Sequence, residues 1–172
     1  MAAEKKEGLL DHLRALGDNK RTFENVYQGV ARMILEDDIE KVTVNGRSTH
    51  DFGIFRKGDK HVIGMYDEIN SFVTYVKDAA EGGSSAEMAF VLVGEPGNGK
   101  TFFVEYLCSR YREFLGKDRN RKYTFRFTGM DKLGTYGKIP AVESQTYEDP
   151  AILAMNLFPQ PDKTREYLAD TA

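Results

Sequence analysis

The chain has 172 residues, 41% apolar and 30% charged, with a formal net charge of −3. That size and balance describe one soluble globular core and exclude a disordered chain, and the mild negative charge excludes the basic footprint of a nucleic-acid binder. No apolar run reaches the roughly eighteen residues of a membrane span, Met1 to Glu7 carries no apolar leader, and Cys108 has no cysteine partner, so the expected setting is cytoplasmic.

Two helices are predicted within the first 36 residues. Leu9, Leu10, Leu13 and Leu16 recur at helical spacing before Gly17-Asp-Asn19, and Phe23, Val26, Tyr27, Val30, Met33 and Ile34 do so after it. Residues 37–61 are polar and irregular, with a short strand expected at Lys41 to Val44, and are assigned to a linker or wrapping segment. His12, His50 and His61 are too scattered for a metal site. Helical spacing returns over Tyr66 to Ala80, through Ile69, Phe72, Val73 and Val76, with Asp67 and Glu68 in the first turn, where the helix dipole favours negative charge.

After the break at Gly82-Gly-Ser-Ser85, the run Ala89-Phe-Val-Leu-Val93 fits a strand buried on both faces, as inner strands of parallel sheets are. A broad apolar helix face follows from Phe102 to Leu115, ended by Gly116. Tyr123 to Thr128 alternates with period two and reads as a second strand. The remainder, with Gly129, Gly134, Gly137, Pro140, Pro150, Pro159 and Pro161, is loop-rich, with one further short element, a candidate strand, at Ile152 to Leu157. This order predicts an α/β fold: a P-loop NTPase parallel sheet flanked by helices, incomplete with only two clear strands, and carrying extra N-terminal helices. Residues 1–60 form the N-terminal helical and wrapping part, and residues 61–172 the partial nucleotide-binding domain.

Between the first strand and its helix stands Gly94-Glu95-Pro96-Gly97-Asn98-Gly99-Lys100-Thr101, which fits G-x-x-x-x-G-K-[ST]. The chemistry explains the residue types. Gly94, Gly97 and Gly99 allow positive φ and let backbone N–H groups approach an anion, while the helix start at Phe102 adds its own free amides. Pro96 stiffens the loop. Lys100 brings a point charge to the β- and γ-phosphates, and the Thr101 hydroxyl is suited to Mg²⁺. The expected cofactors are therefore ATP and Mg²⁺. Upstream, Val62-Ile63-Gly64-Met65 places aliphatic residues and a glycine at a helix entry; Ile63 and Gly64 are the candidate contacts to the base.

Taken together, His61 to Met65, the helix to Ala80, the Gly94 to Thr101 loop and Glu143-Ser-Gln-Thr-Tyr-Glu-Asp-Pro150 resemble the N-terminal AAA+ region of the PrkA-type serine protein kinase family. That family carries a Ser-Pro-x-x-x-Glu-x-Pro-like stretch before a Leu-rich run ending in Pro; here Gln145 stands at the first Pro, and Ala151 to Pro159 follows. The resemblance covers the chain from about residue 9 onward. It implies a cytoplasmic ATP-dependent protein with a ring-type ATPase core, and as partners either further copies in a ring or the remaining part of a longer ATPase or kinase. No four-residue apolar run followed by Asp-Glu comes after Thr101, so the Walker B acid is missing; the protein-kinase catalytic-loop motif H-R-D is absent too. The chain is accordingly expected to be an N-terminal piece that binds ATP with little or no turnover. Two other readings stay open: a P-loop nucleotide or small-molecule kinase, with Arg119, Arg121 and Lys122 as a clamp, and a non-hydrolysing nucleotide-sensing ring subunit.

Overall fold

The computed structural model describes residues 6–58, 60–133 and 139–157. Two compact units emerge: Glu24–Gly116, and Met1–Phe23 together with Lys117–Ala172.

After α1 (Leu9–Gly17), the Glu24–Gly116 unit begins with α2 (Val26–Leu35). Asn25 starts α2 with a capping box: its side chain accepts from the Gln28 N–H at 2.9 Å, and the Gln28 side chain accepts from the Asn25 N–H at 3.0 Å. β1 (Ile39–Val44) and β2 (Arg47–Phe52) then form an antiparallel hairpin, with Ile39 opposite Phe52 and Val44 opposite Arg47. The turn is Asn45-Gly46, with φ of 51° and 76°, the positive values that a tight two-residue hairpin turn demands. Half of this hairpin lies where the sequence suggested only a wrapping segment around one short strand.

A 3-10 turn at Gly53–Arg56 drops Ile54 and Phe55 into the core. α3 (Tyr66–Ala80) and α4 (Lys100–Leu115) match the predicted helices. α3 buries Ile69, Val73 and Val76, and α4 buries Phe103, Tyr106 and Phe114 against Met33, Ile34, Phe52 and Phe55. Phe103 and Phe55 stack at 5.7 Å, and Phe72 meets Phe103 edge-on at 5.5 Å, geometries that add to the burial itself. The Tyr106 hydroxyl lies 2.8 Å from the Ile54 carbonyl and 2.5 Å from that of Lys57, so its one proton serves two acceptors and ties α4 to the turn. Burial pushes the Tyr106 pKa up, which keeps that proton in place.

The expected parallel sheet does not form. Among the described residues there are two sheets, β1–β2 and β3–β4, each two-stranded and antiparallel. Ala89 to Val93 is not a strand: Val91 is 70% exposed and Val93 90%. The alternate residues Phe90 and Leu92 pack inward, Phe90 edge-on to Phe72 at 5.3 Å. An apolar run becomes a doubly buried strand only when neighbours supply hydrogen-bonding edges on both sides and layers on both faces. No described segment pairs with this one, so a single face is covered.

In the other unit, α1 (Leu9–Gly17) packs on α5 (Pro150–Leu157) through Leu13, Ala151 and Ala154. α5 replaces the short strand expected at Ile152 to Leu157. Pro150 suits the first helical position, and the Asp149 carboxylate accepts from the Ala151 N–H at 2.8 Å, which caps the helix start. The strand expected over Tyr123 to Thr128 shrinks to β3 (Arg126–Thr128), paired with β4 (Ala141–Glu143). Gly134, Gly137, Pro159 and Pro161 lie outside the described residues.

A polar knot holds this unit. His12 is 3% exposed; its Nε2 lies 3.1 Å from the Asp149 Oδ1 and its Nδ1 2.9 Å from the Arg21 Nη1. A carboxylate only accepts, so His12 donates from Nε2 to Asp149, and a guanidinium only donates, so Nδ1 accepts from Arg21. Arg21 also pairs with Glu7 and lies 4.2 Å above the Tyr123 ring.

Candidate functional site

The Gly94 to Thr101 loop leads into α4, as its motif requires, but the buried strand expected before it, at Ala89 to Val93, is absent. Gly97 and Gly99 have φ of 88° and 74°, left-handed values that strain any residue with a Cβ. Gly99 is the N-cap of α4 and offers no side-chain cap, so the first amides of the helix lack a side-chain acceptor there. The first helical bond runs from the Phe103 N–H to the Gly99 carbonyl at 2.8 Å. Phe103, 1% exposed, locks that first turn into the core. The loop's downstream end is therefore rigid, although Gly94, Glu95, Pro96, Gly97, Asn98 and Thr101 are all exposed.

Lys100 folds back over its own loop. Its ammonium donates to the Gly94 carbonyl at 2.7 Å and to the Glu95 carbonyl at 2.5 Å. The loop thus curls around a cation, bringing together the lysine and the backbone that the motif pairs. Thr101 and the half-buried Phe102 complete the first turn, with the Phe102 ring 6.0 Å from that of Tyr106.

The second predicted element comes to the same place. A Cβ built on Gly99 would meet the Met65 sulfur at 3.6 Å, so the end of the His61 to Met65 segment abuts the Gly94 to Thr101 loop. Beside it opens a cleft of about 240 Å³ lined by His61, Val62, Ile63, Gly64, Met65, Tyr66 and Ile69. Ile63, 77% exposed, offers an apolar surface at its rim, whereas Val62 is core. Asp51 and Arg56 also line the cleft. Sequence reasoning missed both, because it did not use Asn45-Gly46 to fold residues 47–52 back as β2. Arg56 lies 2.9 Å from Asp38, 3.0 Å from Glu40 and 3.8 Å from Asp51. Its pKa is raised, first by the hydrogen bond with Glu40.

The side-chain oxygen donors of the loop are those of Glu95, Asn98 and Thr101, and no cluster of three His, Cys, Asp or Glu suited to a metal occurs among the described residues. That donor set fits Mg²⁺ arriving on a nucleotide, since Mg²⁺ keeps most of its waters and takes few protein ligands beside phosphate oxygens. Glu143 to Pro150 lies in the other unit. No helix among the described residues is long and apolar enough to cross a membrane. No family model, no curated protein and no solved structure matches the chain.

Proposed function

We propose that the chain binds Mg-ATP, with the triphosphate on the Gly94 to Thr101 loop and the base in the adjoining cleft, as the cytoplasmic nucleotide-binding part of an ATPase of the kind carried by PrkA-type serine protein kinases. One observation carries the reading: an ammonium sits inside a loop of positive-φ glycines at an uncapped helix start. The Lys100 proton donors that now meet two loop carbonyls turn to phosphate oxygens, beside the amides at the uncapped start of α4. Mg²⁺, when bound with the nucleotide, would neutralise phosphate charge, and the exposed Thr101 hydroxyl is the ligand the motif would supply to it. Phe103 and Met65 act on the site only by fixing the loop and the cleft relative to each other.

Turnover asks for more, namely an acid that orients the attacking water, and no apolar run ending in Asp-Glu follows Thr101. The chain accordingly binds without appreciable hydrolysis. Titration calorimetry with Mg-ATP, joined to amide exchange, tests this. Saturable heat with protection of residues 94–101 is the expected result; absence of both overturns the assignment, and rapid phosphate release that Lys100→Ala abolishes overturns the turnover statement.

A further inference from the structure

Asparagine precedes glycine at two places in the chain, Asn45-Gly46 and Asn98-Gly99. Glycine leaves its own peptide nitrogen open to a neighbouring side chain, because no Cβ stands beside it. The second pair lies inside the Gly94 to Thr101 loop, and both of its reacting groups are unengaged. The exposed Asn98 carboxamide makes no hydrogen bond with a described residue, and the Gly99 N–H donates to none. The surroundings also favour negative charge. Gly99 is the N-cap of α4, at the positive end of the helix dipole. A Cβ built on Gly94 would meet the Lys100 Nζ at 3.5 Å and the Asn98 Nδ2 at 3.8 Å, so the ammonium and the carboxamide converge on one point of the loop.

We propose that Asn98-Gly99 is a site of spontaneous deamidation, and that the carboxylate it produces switches the loop off as an anion site. The second half rests on the phosphate-loop reading above. In the first step the Gly99 nitrogen attacks the Asn98 Cγ. The Gly99 N–Cγ bond forms, the bond from Cγ to the side-chain nitrogen breaks, and that nitrogen leaves as ammonia with the Gly99 proton. The charge that builds on the side-chain oxygen meanwhile lies near Lys100, which stabilises it. Water then opens the five-membered imide. Opening at Cγ gives aspartate; opening at the main-chain carbonyl gives isoaspartate, whose backbone runs through one extra methylene. Either product brings one negative charge beside Lys100, where it pairs with the ammonium and repels phosphate. Isoaspartate also displaces the Gly99 N–H at the start of α4.

Incubation of the full chain at alkaline pH tests this, with samples taken over time for tryptic mass mapping and for calorimetric titration with magnesium tripolyphosphate. Trypsin releases Asn45 in residues 42–47 and Asn98 in residues 78–100, so the two pairs report separately. Asn98 should gain the mass of an amide turned into an acid, and affinity for tripolyphosphate should fall in step, by about tenfold or more in the fully converted chain. Asn98→Gln, which would have to close a six-membered ring, should keep its starting affinity through the same incubation. Because Asn45 ages in both chains, that comparison assigns the loss to Asn98. No mass gain at Asn98 overturns the site. A gain without loss of affinity, or an equal loss in Asn98→Gln, overturns the switch. If the fresh native chain fails to bind tripolyphosphate, the phosphate-loop reading and the switch fall together, while a mass gain at Asn98 still upholds the modification site.

Discussion

Replacing Lys100 by Ala separates the loop's shape from its charge. In the free chain the ammonium makes two bonds to exposed carbonyls, those of Gly94 and Glu95. Water can replace exposed bonds, so losing the two should change folding stability by no more than about 2 kcal/mol, about 1 kcal/mol for each. In the complex the same ammonium faces phosphate. At about 4 Å and an effective dielectric near 20, one unit pair is worth about 4 kcal/mol. The two carbonyl bonds given up on capture offset roughly half of that, at about 1 kcal/mol each. A net loss of about 2 kcal/mol corresponds to an affinity for Mg-ATP lowered by about thirtyfold. Calorimetry gives the dissociation constant, and a thermal melt without nucleotide reports the free fold. Unchanged affinity in a normally folded variant would refute the placement of phosphate at Lys100.

Gly99→Ala should leave the charge intact but strain a residue held at φ 74°, costing about 1–2 kcal/mol and weakening Mg-ATP binding by misplacing the first amides of α4; calorimetry beside circular dichroism checks this. Phe103→Ala removes the ring stacked on Phe55 and should destabilise the Glu24–Gly116 unit by about 3–5 kcal/mol in urea denaturation, with nucleotide binding lost alongside. Burial alone would raise the Asp149 pKa, but bonds from His12 and the Ala151 N–H outweigh it and hold the carboxyl below its usual range. Its contribution is thus complete above the unfolded carboxylate value near about 4 and is lost as pH falls through the lower folded value. Asp149→Ala should cost about 1–3 kcal/mol at neutral pH, a difference that closes in urea melts below about pH 4.

Local signals in the sequence carried far. The α3 and α4 periodicities, with Asp67 and Glu68 at one start and Gly116 at the other end, locate both helices to the residue or nearly so, because amphipathic burial and capping are decided within a few turns. The phosphate loop is legible for the same reason: its glycines encode backbone torsions that need no distant partner. Strands are different. Ala89 to Val93 has the composition of an inner strand, yet pairing depends on edges supplied from elsewhere, and no described residue supplies one. Ile152 to Leu157 reads equally as strand or helix from its apolar content; Asp149 and Pro150 decide for helix. At the site, the contact of Met65 with Gly99 and the arrival of Asp51 are products of packing, and only the Asn45-Gly46 turn hinted at the second.

The open segment before Gly94 sets how the loop meets an anion. Residues 89–93 approach with no lateral main-chain bonds to described residues, whereas the far end is nailed down by Phe103. Upstream, the loop is held by side chains alone, through Phe90, Leu92 and the Lys100 bonds to the Gly94 and Glu95 carbonyls, and each residue that a ligand freezes there costs about 1–2 kcal/mol. Whatever stiffens that approach from the side would therefore sharpen the proposed nucleotide affinity without touching the nucleotide.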